Sequence, residues 1–210
     1  MSLAVEKMAD PVSTNREDWL NVALRVLIDE GAAAVKVMTL AQRLGCSRSS
    51  FYWFFNDREA MLQALLHLWR ARNTHAIVER AGRPAARVSK AVLNVFECWA
   101  DPALFDAKLD FAVREWARRS PEVALAVHDA DEERLAALTA MFARFGADDK
   151  EAVVRARTLY FMQIGYYALE VRETNLQRNA LLQQYVEVFS GEVPDAADLR
   201  GFTALAAGAS

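Results

Sequence analysis

Arg48, Ser49, Tyr52 and Trp53 fall at helical spacing in the stretch Gly45-Cys-Ser-Arg-Ser-Ser-Phe-Tyr-Trp-Phe-Phe55, and their side chains could read nucleic acid. Arginine can bond guanine bidentately, serine can bond base edges or phosphate, and a tyrosine hydroxyl suits a phosphate oxygen. None of the four is negatively charged, so nothing on that face repels a phosphate backbone. Ser50 stands on the same short element. Lys36 precedes it, and Arg58 falls in the first turn of the next helix, where the helix N-terminus and the guanidinium both favour an anion. These seven residues are the candidate DNA contacts.

Two short helices joined at Gly45 must hold them. Leu40, Ala41 and Leu44 share one face of the first, and Gly45 can take the left-handed conformation that ends it. Ser47 can cap the second helix, whose Phe51 and Phe54 face back onto Leu40 and Leu44. This is the pattern of a helix-turn-helix, whose second helix enters the DNA major groove. Upstream, Thr14 with Glu17 makes a capping box, and Leu20, Ala23, Leu24, Leu27 and Ile28 recur at helical spacing up to about Gly31. That stripe supplies the third wall of a small core. Residues 1 to about 12 read as a loosely ordered arm.

The chain has 210 residues, 53% of them hydrophobic, and a net charge of −3, so it is no polycation that would coat nucleic acid indiscriminately. Positive charge is local instead: Lys36, Arg43, Arg48 and Arg58 against Asp57 give residues 36–58 a charge of +3. Two cysteines, Cys46 and Cys98, form no paired spacing and suit a reducing compartment. No charged lead runs into an apolar leader, and no stretch approaches the roughly 18 apolar residues of a membrane span. The expectation is a cytoplasmic protein with no membrane partner.

The remainder reads as helices throughout. Asn56 with Glu59 opens a fourth, carrying Leu62, Leu65, Leu66 and Trp69 to the late 70s, so the domain boundary lies within a helix that could act as a lever. A fifth holds Val88 to Trp99, a sixth spans 104–119, and a seventh begins at Ser120-Pro121 and reaches Phe145, with a bend or exposed turn allowed for at Asp129 to Glu133. The eighth, from about Asp149 to Arg172 with Asp148 as cap, has two apolar stripes. One carries Val153, Ala156, Tyr160, Ile164, Tyr167 and Val171, and the other Val154, Phe161, Gly165 and Ala168. A helix apolar on two faces is buried from two directions, so the second stripe is a candidate subunit interface. A ninth covers 175–189, and from Gly191 the composition suggests a loose tail. The fold class is all-α with about nine helices, divided into a helix-turn-helix domain over 1–60 and a larger helical domain over 61–210. Phe96, Trp99, Phe111, Trp116, Tyr160 and Gln163 are the stock from which the second domain could line a site for a largely apolar or amphipathic small molecule.

With the helix-turn-helix as second and third helices and an all-helical remainder, the chain resembles the TetR family of bacterial transcriptional regulators. The resemblance rests on residues 14 to 66: Glu30-Gly31, Leu40-Ala41, Leu44-Gly45-Cys46-Ser47, Phe51 to Phe55 and Arg58-Glu59-Ala60-Met61-Leu62. It implies a homodimeric repressor of a palindromic operator, released from double-stranded DNA by a small-molecule effector. It also implies that the last two long helices pack with the partner's, which adds Leu182 and Val186 to Phe161, Gly165 and Ala168 as interface candidates. A ligand between the fourth and eighth helices would then move the fourth. The chain departs from the family pattern at Val35-Lys36, where Ser or Thr is common, at Phe54, usually His or Tyr, and at Arg58, often Lys.

A di-iron bundle enzyme would need Glu-x-x-His pairs, and His67, His75 and His128 form none. Hydrolase, nucleotide and zinc-protease motifs are also missing, so neither an enzyme nor a cofactor is expected. A ligand-independent dimeric DNA-binding or interaction module is the other reading of the helical domain.

Overall fold

The first helix begins one residue later than the spacing of Thr14 and Glu17 suggests. In the computed structural model, which describes residues 14–208, Asn15 is the cap of α1 (Arg16–Glu30). Its side chain accepts from the Asp18 amide at 3.0 Å, and the Asp18 carboxylate accepts from the Asn15 amide at 2.8 Å. Asparagine outcompetes the threonine because its oxygen meets the N3 amide while Asp18 closes the reciprocal bond. The arm expected over residues 1 to about 12 lies outside the described residues.

A 3₁₀ turn (Ala32–Ala34) leads to α2 (Val37–Leu44) and α3 (Arg48–Phe51). Gly45 between them takes φ 65° and ψ 28°, and the Cys46 amide donates back to the Ala41 carbonyl at 3.1 Å. A glycine at that left-handed position ends α2 without a Cβ clash. The core under the pair is aromatic. Trp19 meets Phe51 edge-on at 5.3 Å, and Phe51 stacks on Phe55 at 5.4 Å, with Leu40 and Ala41 buried beside the helix crossing. Phe55 rather than Phe54 takes the buried place, because the chain leaves the helix after Phe51 and continues as a turn. α4 (Arg58–Trp69) is likewise capped one residue late: Asp57, not Asn56, accepts from the Ala60 amide at 2.8 Å.

The chain divides into two compact units, Met1–His67 and Leu68–Ser210, and both this division and the expected one at 60/61 fall inside α4. In the second unit α4 passes through a π turn (Arg70–Thr74) into α5 (His75–Gly82). There follow α6 (Val88–Ala100), α7 (Ala107–Ala117), α8 (Pro121–Arg144), α9 (Asp149–Ala168), α10 (Asn175–Ala180), α11 (Leu182–Ser190) and α12 (Ala196–Gly208). The described residues include no strand, and the all-α class stands. The helix number exceeds nine for three local reasons. The π turn separates α4 from α5, the ninth expected helix breaks at Leu181, and the supposed tail folds as α12, seating Phe202 and Ala206 in the core. The acidic run Asp129 to Glu133 does not interrupt α8, and α9 stops at Ala168, with Glu170 left-handed at φ 49°. Asp148 does cap α9, accepting from Lys150 and Glu151 amides at 2.9 Å each.

α8 packs on α5, α7 and α9, while α6 packs on α5, α11 and α12. A buried ionic network joins α7, α8 and α9 to the end of α4 and the π turn. Asp110 of α7 and Arg134 of α8 are both fully buried and meet at 3.1 Å. Asp110 also accepts from the Trp69 indole at 2.8 Å and from Arg114 at 2.8 Å. The Tyr160 hydroxyl of α9 donates to Asp131 at 2.6 Å and accepts from Arg134 at 2.9 Å and Arg114 at 3.0 Å. The Arg134 Nε reaches Thr74 in the π turn at 3.1 Å, and Asn73 is tied to the Asp106 backbone at 2.9 Å. Two guanidiniums thus face two carboxylates, which is the condition for burying ions without a large penalty.

Candidate functional site

The face that could meet DNA is built on a short helix. Ser47 holds an extended backbone before α3 but makes no cap bond through its side chain; its hydroxyl lies 2.8 Å from that of Ser49. The Ser50 hydroxyl donates to the Ser47 carbonyl at 2.6 Å, so it braces the turn instead of facing outward. Tyr52 and Trp53 leave the helix in the following turn and stand 59% and 83% exposed. Such exposure of two large aromatics leaves them free to stack or bond with a partner. Arg48 is exposed, and among the described residues it has no carboxylate partner; Lys36, exposed before α2, has none either.

Arg58 is already engaged within its own unit. Its Nε donates to the Val35 carbonyl and its NH2 to the Ala32 carbonyl, both at 2.6 Å, and it is only half-exposed. The guanidinium satisfies the carbonyls of the 3₁₀ turn and so fixes the approach to α2, which is a positioning task and not a free phosphate contact. Arg43 pairs with Glu30. Of the four local cations, Lys36 and Arg48 are the ones left for an anionic partner. Met38, 67% exposed on the first turn of α2, is a further outward residue of this face, and only its place off the Leu40, Ala41 and Leu44 stripe hints at it in the sequence.

In the second unit an apolar cavity of about 70 Å³ is lined by Phe96 and Trp99 of α6, Met162, Gln163 and Tyr166 of α9, Leu182 and Tyr185 of α11, and Phe202 of α12. Glu173, Arg178 and Asn179 complete its lining with polar groups. Phe96 and Trp99 sit 5.5 Å apart, tilted, and Phe96 meets Phe202 edge-on at 6.4 Å. Of the candidate ligand residues, Phe96, Trp99 and Gln163 come together there. Phe111 instead meets Tyr167 edge-on at 6.5 Å, Trp116 is half-buried away from the cavity, and the Tyr160 hydroxyl belongs to the ionic network. No residue of α4 or α5 lines the cavity, so it does not lie where a ligand would press on the fourth helix directly. Phe202 and Arg178 escape sequence reasoning because one falls in an apparent tail and the other on a helix whose spacing speaks only of packing.

Among the described residues the outer stripe of α9 is largely uncovered. Phe161 is 55% exposed, Val154 and Ala168 are exposed, and Gly165 is half-exposed. Leu182 and Val186, by contrast, belong to the core of their own unit and offer no surface; on α11 the outward apolar residue is Val188, with Leu181 at the break before it. Helical spacing alone could not tell which stripe of α11 faces inward.

These features define an all-α protein with an N-terminal helix-turn-helix unit and a cavity-bearing helical unit. The model of the family described as bacterial regulatory proteins, tetR family, matches residues 20–65. Across the whole fold the chain is similar to the TetR-family transcriptional regulator PfmR from Thermus thermophilus, at 19% identity and a TM-score of 0.64, covering 88% of this chain and 100% of that one. It is similar as well to AmtR of Mycobacterium smegmatis, at 18% identity and a TM-score of 0.63, covering 95% and 97%. The ketosteroid transcriptional regulator KstR2 of Mycobacterium tuberculosis matches at 18% identity and a TM-score of 0.59, covering 89% and 98%. No curated protein matches in sequence. Residues 20–65 thus match the tetR family of bacterial regulatory proteins, and the chain as a whole has the fold of the TetR-family regulators it is similar to.

Proposed function

We propose that this regulator is a ligand-responsive repressor that binds a palindromic operator as a homodimer. The observation that carries the ligand response is the aromatic cavity, a mostly apolar space with a few polar groups at one side, in a chain whose other unit carries a DNA-reading face. Dimerisation is supported by the exposed α9 stripe of Val154, Phe161 and Ala168. One reading head covers a few base pairs, and two heads about 34 Å apart read a palindrome. Repression follows the family.

In this reading the signal leaves the cavity through α9. Gln163 and Tyr166 line the cavity, while Tyr160, one turn earlier, bonds the two arginines that hold Asp110 and Thr74. A ligand that displaces α9 therefore strains the attachment of the π turn, and α4 is covalently continuous with that turn. The shift is limited to the difference in ligand affinity between the released and DNA-bound forms.

The test is a thermal-shift screen of apolar and amphipathic compounds, followed by operator binding with each stabilising compound present. The reading expects stabilisers that weaken operator binding by about 5- to 150-fold. Stabilisers that leave DNA affinity unchanged would favour a module that only dimerises.

A further inference from the structure

The cavity's polar end has a defined charge pattern, and it specifies the ligand class of the site proposed above. Arg178 stacks over the Tyr166 ring at 4.8 Å and donates through NH2 to the Tyr166 hydroxyl at 2.8 Å. The same hydroxyl donates onward to Glu173 at 3.1 Å. Glu173 is thus already solvated by a donor, and among the described residues no ion pair joins it to Arg178. A guanidinium carries five N–H groups, and only this one bond of Arg178 has an acceptor among the described residues. Stacking and the hydroxyl bond fix the plane of the fork without consuming it.

Neighbouring groups reinforce the preference for an anion. The Asn179 side-chain amide also lines the cavity and can donate, while that of Gln163 is already bonded to Tyr167. Everything else in the lining is apolar or aromatic, which accepts a hydrocarbon body and rejects a second charge.

We infer that the cavity takes an amphiphile with one carboxylate, its apolar body among Phe96, Trp99, Met162 and Phe202 and its carboxylate on Arg178. This rests on the cavity being the effector site. An amine-headed ligand would have to displace the Tyr166 hydroxyl from Glu173 and lie beside the Arg178 guanidinium, which like-charge repulsion disfavours; a carboxylate on Arg178 keeps the Tyr166–Glu173 bond, although Glu173 opposes it as the one like charge in the lining.

The test uses two matched sets, decanoate with decan-1-ol and decylamine, and 2-naphthoate with 2-naphthalenemethanol, titrated by calorimetry into the full chain and into Arg178→Gln and Glu173→Gln. The expected result is a carboxylate bound at least about tenfold tighter than its matched alcohol, the margin of one charge-assisted hydrogen bond. Arg178→Gln should abolish that margin while leaving alcohol affinity within about twofold, which also shows that the variant is folded. Glu173→Gln should keep or widen it. Alcohols or the amine binding as tightly as the carboxylates, or a margin that survives Arg178→Gln, would overturn the carboxylate assignment and leave the cavity as an effector site. Failure of every compound to bind, when unrelated compounds from the thermal-shift screen do, would likewise overturn it. If no compound of any class binds, the effector reading itself falls.

Discussion

Arg48 and Arg58 illustrate how two arginines of one motif divide the work. Arg48 is exposed with no carboxylate partner among the described residues, so it can read a base, and Arg48→Ala should relax sequence preference at one position by about 1–3 kcal/mol in operator binding. A uniform loss across sequences would make it a phosphate contact instead. Arg58 is bound to two carbonyls, and charged hydrogen bonds of this kind contribute about 1.5–3 kcal/mol each when broken. Arg58→Ala should therefore lower the unfolding temperature of the N-terminal unit and leave the salt dependence of DNA binding unchanged, whereas Lys36→Ala should reduce the salt slope by about one unit. A reduced slope in Arg58→Ala with unchanged stability would contradict this division. Cys98, by comparison, is chemically quiet: burial pushes its thiol up to about 12.

Among the elements, α7, α8, α9 and the π turn are joined by charges that no apolar stripe would predict. Burial works against ionisation of Asp110, but the Arg134 and Arg114 guanidiniums outweigh it and hold the carboxyl below its ordinary value. A depressed carboxylate contributes stability above its unfolded value of about 3.9 and loses it as pH falls through the lower folded value. Asp110→Asn should cost about 3–5 kcal/mol near neutral pH, because it strands buried Arg134, and should flatten the acid limb of the stability curve below about pH 4. An acid limb as steep as in the parent chain would remove Asp110 from the network. Much of the helical framework was legible because apolar residues recur every three or four positions, and Gly45 and Asp148 mark a helix end and a helix start through their backbone chemistry. The shifts from Thr14 to Asn15 and from Asn56 to Asp57 were not legible, since both members of each pair are good caps and packing chooses. The π turn has no periodic signature. α12 was hidden by its glycine and alanine content, although Leu199, Phe202 and Ala206 keep helical spacing. The exposure of Arg48, Tyr52 and Trp53 could be read because they fall off the apolar stripe, whereas the backbone bonds of Ser50 and Arg58 left no mark in the spacing. The cavity could be read only in part, as its walls come from four helices distant in sequence.

For the whole molecule, the proposed function assigns the exposed α9 stripe to a second copy of the chain, and Lys36 and Arg48, which have no carboxylate partner among the described residues, to an anionic duplex. Phe161→Glu should convert a sedimenting dimer into a monomer while leaving helicity unchanged, because it places a charge where the apolar stripe must be covered. Persistence of the dimer would move the interface elsewhere. Among the described residues no helix is long and apolar enough to cross a membrane. Selection of binding sites from random duplex DNA, with the parent chain beside an Arg48→Ala, Tyr52→Ala double substitution, tests sequence-specific DNA reading most directly. An enriched palindrome from the parent chain that disappears in the variant is the predicted result. The same palindrome recovered with equal enrichment by the variant would contradict it, because the face carrying Arg48 and Tyr52 would then not be the one that reads DNA.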